Sequence, residues 1–517
     1  MTRRGPSGDT PAARFYVAME LFEAKNELAR ALCAREAYRH AAAVMNYDGM
    51  TSAPKNSAPG RAASLAALGS EERKLMTGRE LIRALDALLQ HADELDEKTR
   101  REAELTHREV TRLLRVPAGA LAEHNRVLGM ASAVWREAKA RNDFKLFSPY
   151  LTEVFASARK LALLTAPEKD PYDTLLDENE EGMSRAFLDP FFSGLREALV
   201  PLIGRIAKRP KPDVSFLHGH FPREKQLAFS RELMGLMGID GRRCSLGCAE
   251  HPYTTFINRN DVRVTTHIYE DRVHANMFSI LHEGGHALYE LGISEELTGS
   301  PLGHGASAGM HESQSRLYEN LIGRSRGFAE LILPVLKRYF PEELGGVGAS
   351  EFYLAVNRAE PTNKRTDADE LTYCLHVMIR YELEKALIRG DISAEDVPRR
   401  WNALCGEYLG VVPETDSEGC LQDMHWGSGL IGYFPTYALG NAYGAQLFHW
   451  LLLDPEANAA FERGDIPAVT GWLRERVHKY GKLKTPAELI ADSTGEGFTP
   501  EYYLEYLTEK YTAMYGL

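Results

Sequence analysis

The stretch His282-Glu283-Gly284-Gly285-His286 constrains this chain more than any other. In a helix its two imidazoles stand one turn apart on one face, close enough to reach a single Zn²⁺ ion. Glu283 then flanks that face, where a carboxylate can take a proton from metal-bound water, whose pKa zinc lowers to about 7. Such a helix needs a packed opposite side, and the phase supplies one. At about 100° per residue, Val273, Met277, Ile280, Leu281, Leu288 and Leu291 fall within one sector roughly 100° wide, with His282 and His286 roughly opposite. The histidines therefore face solvent or a cleft, not a core. Gly284 and Gly285 each cost about 1 kcal/mol relative to Ala in a helix interior. Gly284 falls on the apolar sector, so another backbone is expected to pack close beneath it.

A catalytic zinc usually takes three protein ligands and leaves a fourth position open. Downstream candidates are Glu290, Glu295, Glu296, Glu312 and Glu319. Glu290, one turn beyond His286 on the same helix, cannot easily turn back onto the same ion. Glu312 opens a separate helix whose Leu317 and Leu321 project away from the glutamate's side, which favours it by spacing. The plainer alternative is a first-turn glutamate near a helix dipole.

Long Ala/Leu/Glu/Arg segments with helical spacing run through the 517 residues, so a mainly α fold is expected. One amphipathic helix reads from Phe15 to about Tyr47 and ends at the turn-rich patch Asp48 to Pro54; more helices follow to about Thr165. The charged run from His91 to Val110 is most simply a solvated helix face. Convincing strands are confined to Thr254–Ile257 and Val262–Ile268, an antiparallel pair that feeds the His282 helix; an edge strand there can hold an extended peptide. His218 and His220, between Gly219 and Pro222, read as loop residues.

A net charge of −12 and a pI near 5.8 exclude a nucleic-acid or anionic-membrane surface. No run of 18 apolar residues exists to span a bilayer. Residues 1–13 are polar, lack the apolar core of a secretory signal, and are expected to form a loose tail. The six cysteines make no disulfide scaffold, and the Cys244/Cys248 pair has no second pair to complete a metal site. All read as free thiols, pointing to a soluble, cytoplasmic protein.

His311-Glu312-Ser313-Gln314, standing at this distance after His282-Glu283-Gly284-Gly285-His286, resembles the H-E-S-Q element of the carboxypeptidase Taq family of zinc metallocarboxypeptidases. Further elements of that family recur in order: His251-Pro252-Tyr253, Asp261 to Thr265, Arg365 to Asp369, Gly419 to Trp426 and Gly432 to Tyr437. The resemblance covers essentially the full length. Tyr253 stands where the family usually has Phe, and Lys364 where an apolar residue usually precedes the arginine.

The resemblance implies Zn²⁺, one per chain and replaceable by ions such as Co²⁺, held by His282, His286 and Glu312, with Glu283 as general base and then proton donor to the leaving amine. It also implies a helical, two-lobed fold around a deep groove, a homodimer, and removal of single residues from peptide C termini with broad specificity. Residues 14–517 then form one catalytic unit, with 14–165 covering the groove and 166–517 carrying the chemistry.

An enzyme working from the C terminus must recognise a free carboxylate, and a guanidinium does so with two parallel charge-assisted hydrogen bonds. Arg365 is the first candidate and Arg263 the second; the alternative is an internal ion pair with Asp367 or Asp369, and with Asp261. Hydrolysis also needs donors for a tetrahedral oxyanion, and His425 and Tyr437 can supply them. Gln422 and Tyr433 are candidates to hold the peptide backbone, or else to pack; His251 is a candidate substrate contact, or else a buried hydrogen-bonding residue. Two competing activities share the metal motif: an oligopeptidase cutting internally, and a peptide-binding protein with structural zinc, for which Glu283 has no use.

Overall fold

The structure, a computed structural model, describes residues 11–517. Helices dominate. Residues 1–10 of the expected tail lie outside the described residues, and residues 11–13 already belong to the first helix, Pro11–Thr51. That helix runs on through the Asp48 patch; the expected turn comes after Thr51, where Thr51 Oγ1 closes the last turn on the Tyr47 carbonyl.

Among the described residues there are two large apolar cores and a small cluster, Ile293, Leu297 and Leu302, against which Leu105 packs. Leu28 and Leu32 of the first helix pack with Leu81, Leu85 and Leu88 of Arg79–Gln90 and with Ala103 and Val110 of Glu97–Arg115 to form the smaller core. The larger core begins at Val127 and takes in the helices from Ala118 onward. The division of apolar packing therefore falls near Val116, ahead of the break at Thr165. Ion pairs bridge the two bodies: Arg101 to Glu181 at 2.7 Å, Arg108 to Asp177 at 2.8 Å, and Arg112 to Glu178. The charged face of Glu97–Arg115 is thus not simply solvated, because Arg101, Arg108 and Arg112 make this contact and, with Glu109, line a cleft wall.

The sheet is small and mixed. Strands Cys244–Cys248 (β1), Thr254–Asn258 (β2) and Asp261–Thr266 (β3) lie in the order β1-β3-β2, with β2 antiparallel and β1 parallel to β3. The expected purely antiparallel pair is present, but β1 adds a parallel edge. Its Cys-Ser-Leu-Gly-Cys sequence alternates too poorly to announce a strand. Cys244 and Cys248 are free at its two ends. From β3 the chain enters the helix Val273–Gly292, with Val273, Met277, Ile280, Leu281 and Leu288 of the apolar sector buried and Leu291, in its last turn, half-buried. No helix among the described residues is long and apolar enough to cross a membrane.

Candidate active site

Between the two bodies lies a cleft of about 1110 Å³. The smaller body lines one side with Arg35, Arg39 and Arg73; the other side carries His282, Glu283, His286, Glu312, Tyr433 and Tyr437. The His282 helix and the helix Ala308–Arg316 meet here because Gly285 lets them. A Cβ at Gly285 would stand 2.7 Å from the Gln314 carbonyl oxygen and from Ser315 Cα. The close backbone approach expected at Gly284 thus occurs at Gly285, and Gly284 is covered instead by the side chains of Met237 and Ile239.

That approach brings three ligand atoms together. His282 Nε2 and His286 Nε2 lie 3.9 and 3.7 Å from Glu312 Oε2, and all three atoms fall within 4.8 Å of one another. Ligands at zinc distances in a tetrahedron are roughly 3.4 Å apart, so the triad fits a small divalent ion. The donor set agrees, because both Nδ1 atoms are already engaged and each Nε2 is left for the metal. His282 Nδ1 bonds Glu319 Oε2 at 2.8 Å; His286 Nδ1 bonds His311 Nδ1 at 2.6 Å, and His311 Nε2 bonds Glu290 Oε1 at 2.8 Å. These outer partners fix ring orientation, and two of them, Glu290 and Glu319, are downstream glutamates weighed above as ligands.

Glu319 reaches His282 from a π-helical turn, Leu317–Ile322, a local register shift that no spacing rule announces. The available signal was Arg316, which stands four residues after Glu312 and three before Glu319 and bonds both, at 2.8 and 3.0 Å.

Glu283 is buried beside the triad, and Thr254 Oγ1 of β2 donates to its Oε2 at 2.7 Å. Burial raises its carboxyl above the ordinary range. The helix carrying Glu312 is held at its start by Glu180, which accepts from Ser307 Oγ at 2.8 Å and Gly309 N at 2.7 Å, and whose carboxyl burial pushes up to about 7.

The other predicted residues divide. Tyr433 and Tyr437 stand on the cleft wall with ring centroids 5.3 Å apart, and burial pushes the Tyr433 phenol up to about 12. His425 lies behind them with Nε2 3.2 Å from the Tyr437 hydroxyl; burial takes its imidazole down to about 4, leaving it neutral near pH 7. Arg365 also lies one layer back, 5.2 Å over the Tyr437 ring. Its ion-pair partner is Asp423 rather than Asp367 or Asp369: Nε and Nη2 reach Oδ1 at 3.1 and 2.9 Å, while Nη1 donates to the Tyr373 hydroxyl at 2.9 Å. Arg380 takes the second Asp423 oxygen at 2.6 Å. Burial alone would raise the Asp423 carboxyl, but Arg365 and Arg380 hold it far below the usual range.

Three candidates turn out to face elsewhere. Arg263 is paired with Asp261 at 2.8 Å and stacked on Tyr47, which clamps the first helix onto the sheet. The Gln422 amide is committed to the chain, accepting from Arg365 N at 2.7 Å and donating to the carbonyls of Asn363, Glu418 and Gly419. His251 is exposed in the connection before β2, and its neighbours Pro252, Tyr253 and Thr254 line the cleft instead. The two departures from the family pattern have partners: the Tyr253 hydroxyl donates to the Tyr47 carbonyl at 3.4 Å, and Lys364 pairs with Glu418 at 3.5 Å.

The family model described as carboxypeptidase Taq (M32) metallopeptidase matches residues 27–511. The chain is 40% identical to "Carboxypeptidase 1" of Bacillus subtilis over 482 residues, 93% of this chain and 96% of that one. It is 43% identical to "Thermostable carboxypeptidase 1" of Thermus thermophilus over 397 residues, 75% of this chain and 78% of that one. The solved M32 carboxypeptidase from Deinococcus radiodurans superposes with a TM-score of 0.92 at 36% identity, covering 95% of this chain and 99% of its own. Matches of this length, in sequence and in structure together, make the chain a member of the carboxypeptidase Taq (M32) family, and the enzyme a metallocarboxypeptidase, a hydrolase of peptides.

Proposed function

We propose that this enzyme releases single C-terminal residues from peptides of varied sequence, using one Zn²⁺ ion held by His282, His286 and Glu312 and Glu283 as the group that moves the proton. The observation that carries the reading is a buried, Thr254-held carboxylate on the same helix as two ligands of the triad. When bound, the ion lowers the pKa of a coordinated water to about 7 and polarises the carbonyl to be attacked.

The protein's own groups do the rest. Glu283 Oε2 accepts the proton of the attacking water and returns it to the leaving amine, a role suited to a carboxyl raised by burial. His425, protonated at Nε2, donates to the Tyr437 oxygen and so turns the phenolic proton toward the cleft, where it meets the developing oxyanion. Arg365 has five N–H groups, and the three bonds named above leave one free on each terminal nitrogen. That pair is the candidate grip on the substrate carboxylate. The free thiols fit a reducing, cytoplasmic setting. A homodimer acting on peptides is carried by the family resemblance.

N-blocked dipeptides with free and amidated C termini test this reading. Only the free acid is expected to be cleaved, and a longer peptide is expected to shorten by one residue at a time. Equal cleavage of acid and amide sinks it.

A further inference from the structure

From Gly410 to Phe434 the chain has one short 3₁₀ turn, Trp426–Ser428, and no strand, yet much of it is buried. A buried irregular segment must find partners for its N–H groups outside regular structure. This one carries His425 and Tyr433, so whatever holds it also holds that side of the cleft.

Glu384, fully buried on the helix Tyr373–Arg389, holds it at two points. Oε1 accepts from Trp426 Nε1 at 2.8 Å, and Oε2 accepts from Gly432 N at 2.8 Å. A third donor, the Tyr172 hydroxyl at 2.8 Å, comes from the helix Pro171–Asn179. All three are neutral donors, and Trp426 and Gly432 are the immediate neighbours of His425 and Tyr433. The crossing at Gly432 is close. Its φ is +76°, and a Cβ there would lie 2.9 Å from the Leu175 carbonyl group, so the segment sits directly on the helix that supplies Tyr172.

We propose that Glu384 is a positioning residue for peptide hydrolysis: by gripping Trp426 and Gly432 it holds the segment between them so that His425 is set against Tyr437. The proposal rests on the reading that Tyr437, oriented by His425, meets the substrate carbonyl. The hydrogen bonds of Glu384 go to Tyr172, Trp426 and Gly432 and to neither helix of the metal triad, so its effect is separable from metal binding.

Glu384→Gln preserves shape but not bonding. The amide NH₂ must face either Trp426 N–H or Gly432 N–H, so one buried donor is orphaned whichever way it turns. In the zinc-loaded enzyme, with an N-blocked dipeptide as substrate, kcat is expected to fall on the order of tenfold while KM stays within about threefold, the mark of lost positioning. Zinc affinity, read by chelator competition, is expected to stay within about twofold of parent, as for a site with no shared partners. A residue that acts through His425 cannot harm an enzyme already lacking it, so the double variant with His425→Ala is expected to be no slower than His425→Ala alone. Tyr172→Phe, which removes one donor without touching the segment, is expected to give a smaller loss in the same direction and decides the matter if Glu384→Gln does not fold.

Parental kcat in Glu384→Gln, a joint fall of kcat and zinc affinity, or losses that multiply in the double variant overturns the proposal. If Glu384→Gln does not fold, parental kcat in Tyr172→Phe overturns it. His425→Ala at parental kcat sinks the reading of the site, whereas Glu384→Gln at parental kcat beside an impaired His425→Ala sinks the clamp alone.

Discussion

Glu283 and Glu384 are both buried carboxylates raised by burial, and their neighbours give them different tests. Glu283→Gln keeps the size of the side chain and an acceptor for Thr254 but removes the proton acceptor. Zinc content is expected to remain parental while kcat falls by on the order of 10²- to 10⁴-fold, measured on the same metal-analysed sample. Undiminished turnover in that variant contradicts the role of Glu283. Glu384 makes a prediction in pH. Its carboxyl is pushed from 4.5 to about 7 in the folded chain, so between those values the native state keeps a proton that the unfolded chain has lost. Its contribution to stability is therefore largest below pH 4.5, declines as pH rises to about 7, and is flat above. Glu384→Gln lacks that titration, so the difference in unfolding free energy between the metal-free proteins, read from urea titrations, is expected to move in the variant's favour across the window, by at most about 3.4 kcal/mol. A difference independent of pH contradicts the assignment. At this scale the juxtaposition of His282 and His286 was legible because a four-residue spacing encodes a shared helix face. Glu319 and His311 were not legible as outer partners, because only the meeting of two helices makes them so.

Two helices are held at a fixed distance by the absence of one methyl group. Gly285→Ala places a Cβ against the backbone at Gln314 and Ser315, which cannot swing aside as a side chain can. The helices must separate, at a cost of about 1–3 kcal/mol. His286 then draws away from Glu312, so melting temperature and zinc affinity are expected to fall together; a variant with parental zinc affinity contradicts this account of the contact. The helix itself was readable because Val273, Met277, Ile280, Leu281 and Leu288 share one apolar phase, although most of its other sides are buried as well. The strand β1 was not, since Cys244–Cys248 is a short edge made by pairing to β3 and not by its own alternation. The length of the first helix was misjudged for a related reason. Gly49 and Asp48 are turn-formers in isolation, but there Tyr47 is stacked beneath Arg263 and against Tyr253, and that packing overrides local preference.

In the whole molecule the cleft exists because two apolar cores do not merge. Ion pairs, the stacking of Tyr47 on the sheet and the packing of Leu105 on Ile293, Leu297 and Leu302 hold the smaller body to the larger, and partly exposed ion pairs of this kind are each worth about 1 kcal/mol or less and are screened by salt. Hydrogen exchange is accordingly expected to be faster in Arg79–Gln90 and Glu97–Arg115 than in Val273–Gly292, with the gap widening in high salt; equal protection contradicts a loosely joined lobe. A mainly helical, two-lobed outline was legible from periodicity and resemblance, but the boundary was not, because both sides of Val116 carry similar amphipathic helices and only tertiary contact assigns them to different cores. What most directly tests the central claim is equilibrium binding of zinc to the metal-stripped protein and to Glu312→Ala. One ion per chain is expected for the parent, with a loss of at least about 100-fold in affinity for the variant; a parent that takes up no stoichiometric ion, or a variant that binds as tightly as the parent, contradicts it.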